Sequence, residues 1–344
     1  MKSIKLTGIK KLKIIDLPEP EIINPDDVLI KVKSVGVCGS DIHYFNTGRI
    51  GSQVINFPFT LGHEMAGTVE ETGADVSKVK PGMRIAVDPL VTCYNCHQCK
   101  AGRYNTCRNQ KFLGCSGQME GCLSEYIVLP ETCCFPIPDS VSFEAAVLCE
   151  PLAIGIYAVK QSIPLENKTA GILGSGPIGL SVMLACKDNK ADKIYMTDKL
   201  DYRCSIAEKN GAAWTGNPLK NDIVKTITEK EPELLDVVFE CCGRQEALDQ
   251  AVSIVKPGGK VMIIGIPEFD RYSFKADTAR RNEITIQHIR RQNECTRLTI
   301  DKVAANKINP LFMVTHNFHY REAQKAFELV EDYKDGAIKV MIQF

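Results

Sequence analysis

Residues 169–189, TAGILGSGPIGLSVMLACKDN, constrain the fold more than any other stretch of the chain. The apolar start reads as a strand, Gly174 to Gly179 as a tight turn, and the remainder as a helix. Gly174, Gly176 and Gly179 stand in G-x-G-x-x-G spacing, with Pro177 and Ile178 between the last two. Such glycines let the backbone approach a pyrophosphate at a helix N-terminus. Asp198 closes the next apolar stretch, KIYMTD, 19 residues after Gly179. A carboxylate there accepts both ribose hydroxyls and repels a 2′-phosphate, which argues for NAD over NADP. Lys199 and Arg203 are nearby cations that would tolerate a phosphate. Alone the glycine pattern is weak; strand, turn, helix and acid in register make it specific.

The surrounding pattern agrees. After about residue 155, apolar strands such as DVVFECCG, KVMIIGIP and EITIQHI alternate with helical segments, the rhythm of a parallel, doubly wound sheet. Before it, DVLIKVKSVGVCG, MAGTVEETG, RIAVDP and EYIVLP read as short strands between turns, an all-β region with long loops. The expected class is therefore α/β, a β-rich domain joined to a doubly wound one. The 42 Lys+Arg residues balance 42 Asp+Glu, so no basic field invites nucleic acid. No stretch approaches the roughly 20 apolar residues of a membrane span, and the start, MKSIKLTGIKKLKIID, has no apolar run of signal-peptide length. A cytoplasmic protein in a reducing compartment is expected.

In such a compartment the 15 cysteines are read as ligands or small apolar residues rather than disulfides. Cys93, Cys96, Cys99 and Cys107 lie in one short segment, CYNCHQCKAGRYNTC. An iron–sulfur motif that opens C-x-x-C-x-x-C would close C-x3-C-P, whereas here seven residues precede Cys107 and Arg108 follows it. Four close thiolates suit tetrahedral zinc, and a closed shell of this kind holds a loop without doing chemistry. His97 inside the lobe reads as a surface residue. A second set is dispersed: Cys38, Ser40, Asp41, His43 and Tyr44 in VCGSDIHYF, His63 and Glu64 in LGHEMAG, and Cys149 and Glu150 in LCEPLAIG. None is specific alone. Together they offer a thiolate, an imidazole and one or two carboxylates, as a catalytic zinc with one open position requires.

With those motifs read, the chain resembles the zinc-dependent medium-chain dehydrogenases almost end to end. GVCGSDIHYFNTGRIG, LGHEMAGTVEETG, the four-cysteine lobe, GSGPIG and LVEDYKDGAIKVMI carry the likeness, and CGSDIHYFNTGRIG is similar to the sorbitol and xylitol members. The resemblance implies a GroES-like catalytic domain, residues 1–155 and 290–344, and an inserted Rossmann domain, 156–289, with the active site in the cleft between them. It implies two zincs per chain, NAD as cofactor, a polyol substrate and a homo-oligomer, dimer or tetramer.

Carried over residue by residue, it makes Cys38, His63 and Glu64 ligands of the catalytic zinc, with Glu150 near the metal, bridged by water or binding transiently. Which glutamate is the direct third ligand stays open. Ser40 aligns with the hydroxyl that hydrogen-bonds the reacting alcohol, His43 with the outer member of the proton relay, and Tyr44 and Arg290 with substrate contacts. Ile178, Ile264, Gly265 and Ile266 fall where the family packs against the cofactor, and Arg203 is grouped with them. Arg291 departs from the sorbitol pattern, which has tyrosine there. A cation at that point would favour an acidic group on the substrate, as in a polyol phosphate, or else faces solvent or a cofactor phosphate. A threonine dehydrogenase is a rival enzyme reading, and a cofactor-binding relative without turnover a non-enzymatic one. The presence of all the zinc positions argues against the latter.

Overall fold

The computed structural model describes residues 1–344. The chain divides into two compact units, Met1–Glu150 with Thr296–Phe344, and Pro151–Cys295. The first division falls at 150/151 rather than 155/156, and the second at 295/296 rather than 289/290. The reason for the first lies in the helix Phe143–Gln161, which runs unbroken through Pro151, so no turn marks the boundary in the sequence. No helix is long and apolar enough to cross a membrane.

In the first unit a seven-stranded sheet is organised around Asp27–Gly36. That strand pairs antiparallel with Glu64–Thr72, Tyr126–Pro130 and Lys339–Gln343. Its burial is almost unbroken, as expected of a strand covered on both faces. The region is not all-β as its strand-and-turn pattern suggested. Before residue 155 it also holds the helix Gly39–Thr47 and the start of Phe143–Gln161, and its C-terminal segment adds Thr296–Ala304 and Ala323–Glu331. Ala323–Glu331 buries Ala323, Ala326 and Phe327, the i, i+3, i+4 stripe of an amphipathic helix. Phe327 meets Phe45 of Gly39–Thr47 with ring centroids 5.3 Å apart, which fixes that helix onto the core.

The second unit is a six-stranded parallel sheet. Its order is Trp214–Gly216, Lys193–Thr197, Thr169–Leu173, Leu235–Glu240, Val255–Ile263, Thr285–His288. Chain order reverses between Thr169–Leu173 and Leu235–Glu240, the point where doubly wound sheets open a crevice beyond their strand ends. Every residue of Leu235–Glu240 is buried, which explains its apolar run. The helix Pro177–Asp188 begins with proline, whose fixed φ suits the first turn, and buries all residues from Gly179 to Cys186.

Candidate active site

The strand Asp27–Gly36 leads through Val37 to Cys38, which caps the helix Gly39–Thr47. Asp41, three residues into the cap, reaches back. Its Oδ2 accepts the Cys38 N–H at 3.1 Å, and its Oδ1 accepts the Gly62 N–H at 3.1 Å. The same Oδ1 lies 3.5 Å from His63 Nδ1. One buried carboxylate thus ties the Cys38 loop to the His63 loop. It also holds the imidazole by Nδ1, which leaves Nε2 for a metal. Glu64 follows as the first residue of Glu64–Thr72, paired with Gly36 across the sheet.

The result is a cluster: one ligand atom each from Cys38, His63 and Glu64, all within 4.8 Å of one another. His63 and Glu64 are buried, and Cys38 is half-buried. Burial opposes a charged His63, but Asp41 and then Cys38 outweigh it and hold the imidazole well above the usual histidine range. Surroundings negative enough to retain that proton suit a divalent cation. The donor set, thiolate, imidazole and carboxylate, fits zinc.

Glu64 is not idle. Lys339 Nζ donates to both its oxygens, at 2.8 and 2.6 Å, and to Val37 O at 3.2 Å. Both side chains are 1% exposed. Glu150 lies outside the 4.8 Å cluster but is buried, and its charge interacts with His63, Glu64, Asp88 and Lys339. Burial pushes Glu150 up to about 7, against His63 and Lys339 and with Glu64 and Asp88. Ser40 Oγ donates to Cys38 Sγ at 3.4 Å. His43 lies half-buried one turn on, its carbonyl accepting the Thr47 hydroxyl at 2.8 Å. Tyr44 is 2% exposed, with its hydroxyl 3.5 Å from Gln53 Oε1 and 3.8 Å from Cys115 Sγ.

Two participants escaped the sequence reading of the zinc set. Asp41 was present in the motif but carried no role, although a carboxylate at the third position of a helix cap is itself a signal. Lys339 interrupts the apolar run AIKVMI, and a lysine inside a buried strand points to a buried partner.

The four-cysteine lobe is a separate site. Its base is a two-residue ladder, Val91 with Lys111 and Leu90 with Phe112. The Sγ separations are 3.4 Å for Cys93–Cys107, 3.6 Å for Cys96–Cys99, and 4.0 Å for Cys93–Cys99 and Cys96–Cys107. Bonds of about 2.3 Å from zinc to sulfur give a tetrahedron with edges of about 3.8 Å, which these distances straddle. All four thiols are free of disulfides. The N–H groups of Arg108 and Cys99 lower Cys96 to about 6, so the thiolate a metal needs is favoured. His97 is exposed.

In the second unit the glycine turn follows the strand Thr169–Leu173. Gly174 has φ +105°, open to glycine, and a Cβ on Gly179 would fall 1.7 Å from Gly174 O. Asp198 follows Lys193–Thr197. Its Oδ2 accepts the Ser175 N–H at 2.9 Å and its Oδ1 accepts Leu200 N–H at 3.0 Å. Arg203 places NH1 3.8 Å from that Oδ2 and 3.2 Å from where a Cβ on Gly176 would lie. Ile264, Gly265 and Ile266 follow Val255–Ile263, and Ile266 is exposed. Arg290, exposed, and Arg291, at φ +54°, lie just beyond Thr285–His288. All these residues thus cluster at the strand ends where the crevice opens.

Residues 24–139 match the alcohol dehydrogenase GroES-like domain and residues 177–305 the zinc-binding dehydrogenase domain. A sorbitol dehydrogenase of Bacillus subtilis (strain 168) is 37% identical over 99% of this chain and 97% of its own length. An L-idonate 5-dehydrogenase of Vitis vinifera is 34% identical over 98% and 93%. A protein of Sinorhizobium meliloti 1021, assigned as a zinc-binding dehydrogenase and solved bound to NADP, superposes with a TM-score of 0.91 at 30% identity, covering 100% of this chain and 99% of that one. The chain belongs to the zinc-dependent medium-chain alcohol dehydrogenase family. It is an oxidoreductase of alcohols that uses zinc and a nicotinamide cofactor.

Proposed function

We propose that the protein is an NAD-dependent polyol dehydrogenase that oxidises a secondary alcohol of a sugar alcohol such as sorbitol or xylitol to the ketose, reversibly. The observation that carries this is the convergence of Cys38, His63 and Glu64 within 4.8 Å, in a chain 37% identical to a sorbitol dehydrogenase. Those three residues would hold one zinc, with Glu150 beside it, and the four-cysteine lobe a second.

Zinc at the first site supplies a Lewis acid that eases loss of a hydroxyl proton. The chain's own groups do the rest. Ser40, next to Cys38, takes the substrate's hydroxyl proton and passes it outward, with His43 as outlet. Glu150, buried and electrostatically coupled to His63 and Glu64, is the second proton holder. Arg290 and Tyr44 orient the polyol. Ile178 and Ile264 to Ile266 would pack against the cofactor, and Asp198 with Arg203 would hold its ribose. A nicotinamide cofactor bound here would supply the hydride acceptor, giving one NADH and one proton per ketose. Asp198 supports NAD, since its carboxylate repels a 2′-phosphate. A homo-oligomer, dimer or tetramer, completes the proposal.

One observation favours a second reading. Arg291 beside Arg290 adds a cation that would suit an acidic group, as in a polyol phosphate. The test is NADH formation with free polyols, their phosphates, L-idonate and L-threonine, each with NAD and NADP, and sedimentation for the assembly. Turnover of a free polyol with NAD, abolished by a chelator, supports the proposal. Turnover of anionic substrates alone transfers it to the second reading, and a preference for NADP refutes the role of Asp198.

A further inference from the structure

We propose that Glu240 is a positioning residue for the cofactor: a buried acceptor that sets the spacing between the glycine turn and the Ile264–Ile266 segment, and through it cofactor affinity. The proposal rests on the nucleotide-binding reading above.

Glu240 ends the strand Leu235–Glu240 at the switch point and has no solvent exposure. Its Oε1 accepts the N–H of Cys242 at 2.8 Å and of Gly243 at 2.7 Å. Its carbonyl oxygen accepts the N–H of Ile264 at 2.8 Å and of Gly265 at 3.1 Å. Backbone donors from two segments thus converge on one residue. The 241–243 turn they shape is wedged between the two halves of the crevice.

On one side, Cys241 N–H donates to Leu173 O at 2.8 Å, the last residue before the glycine turn. A Cβ on Gly174 would lie 3.1 Å from Cys242 Cβ, so the phosphate turn rests on Cys242. On the other side, a Cβ on Gly265 would lie 2.7 Å from Glu240 Oε2 and 2.1 Å from Gly243 N. The spacer has no slack in either direction.

A side chain filling this space for packing alone would be apolar, because a buried carboxylate is costly. Here Oε2 is buried without a hydrogen-bond partner, so half of the group is unsatisfied while the other half anchors two amides. Retaining so expensive a group is rational where the turn's exact height matters. The length of the side chain is then the sensitive quantity. Aspartate keeps the charge but draws the acceptor back by one methylene. Glutamine keeps the length and an acceptor oxygen.

The experiment uses the zinc-loaded full chain and compares wild type, Glu240→Asp and Glu240→Gln. The readouts are NADH affinity by fluorescence, KM for NAD, kcat, KM for polyol, and the thermal midpoint. For Glu240→Asp, NADH Kd and KM for NAD are expected to rise about tenfold, with kcat and polyol KM within about threefold, since one anchored amide pair is lost from the cofactor side alone. Glu240→Gln is expected to recover most of that affinity. An Asp variant that melts earlier yet binds NADH like wild type would overturn the proposal and leave Glu240 a stability residue. A Gln variant as weak as Asp would overturn it too, since an acceptor at the right reach would then not be enough to hold the turn. Wild type unable to bind NADH would instead remove the nucleotide-binding reading itself.

Discussion

Lys339→Met tests the buried pair at the candidate zinc site directly. Lys339 and Glu64 are each 1% exposed, and the ammonium donates to both carboxylate oxygens at 2.8 and 2.6 Å. Methionine fills similar space, so cavity formation contributes little. What remains is a carboxylate sealed from water without its cation, and breaking one partner out of such a pair costs about 3–5 kcal/mol. Burial works against the lysine's charge, but Glu64 outweighs it and Lys339 is raised above its ordinary range. Its contribution is therefore present in full through neutrality and is lost as pH rises from the ordinary lysine value of 10.5 through that raised value. Calorimetric unfolding of zinc-free protein should show the full loss in the single variant. Lys339→Met with Glu64→Gln should recover most of it, because no buried charge is then stranded. Zinc should rescue the single variant in part, since Glu64 regains a cation. A zinc-free Lys339→Met protein that unfolds like wild type would refute the reasoning. So would a double variant whose losses simply add.

Other perturbations probe the surrounding groups. Glu150 has its carboxyl raised from the ordinary range to about 7 by burial, so the folded zinc-free protein binds a proton that the unfolded chain releases. Stability should fall as pH rises from about 4.5 to 7, by about 3 kcal/mol in all, and Glu150→Gln should flatten that slope; an unchanged slope in urea titrations across this range counts against it. Asp41→Ala should weaken zinc binding about 10–100-fold by chelator competition, as loss of a histidine's orienting carboxylate does, and unaltered affinity would deny Asp41 that role. Cys96→Ser should lower zinc content by one per chain and open residues 92–110 to limited proteolysis while NADH binding persists; full zinc content would contradict the lobe assignment.

The fold was legible where chemistry and backbone share a short stretch. GSGPIG with Asp198 announced the parallel unit because phosphate turns need glycine at fixed intervals. The four cysteines announced a thiol cluster because their close spacing in the chain brings all four Sγ atoms within 4.8 Å of one another. The helices of the first unit were less visible. Pro151 masks Phe143–Gln161, and Gly39–Thr47 is a short helix dense with polar residues. Lys339 could not be paired with Glu64 from sequence, since 275 residues separate them and periodicity carries no information over that distance. Tyr44 shows the converse limit. Its motif gave a substrate contact, while its depth beside Gln53 and Cys115 is set by packing from elsewhere in the chain.

The same separation has a consequence for biogenesis. The nucleotide unit, Pro151–Cys295, is continuous, so it can fold as soon as it leaves the ribosome. The first unit cannot. Its sheet lacks Val314–His319 and Lys339–Gln343 until the second unit has been made, and Glu64 lacks the Lys339 ammonium until then. The strand Asp27–Gly36 is therefore made before the second unit and completes its pairing after it.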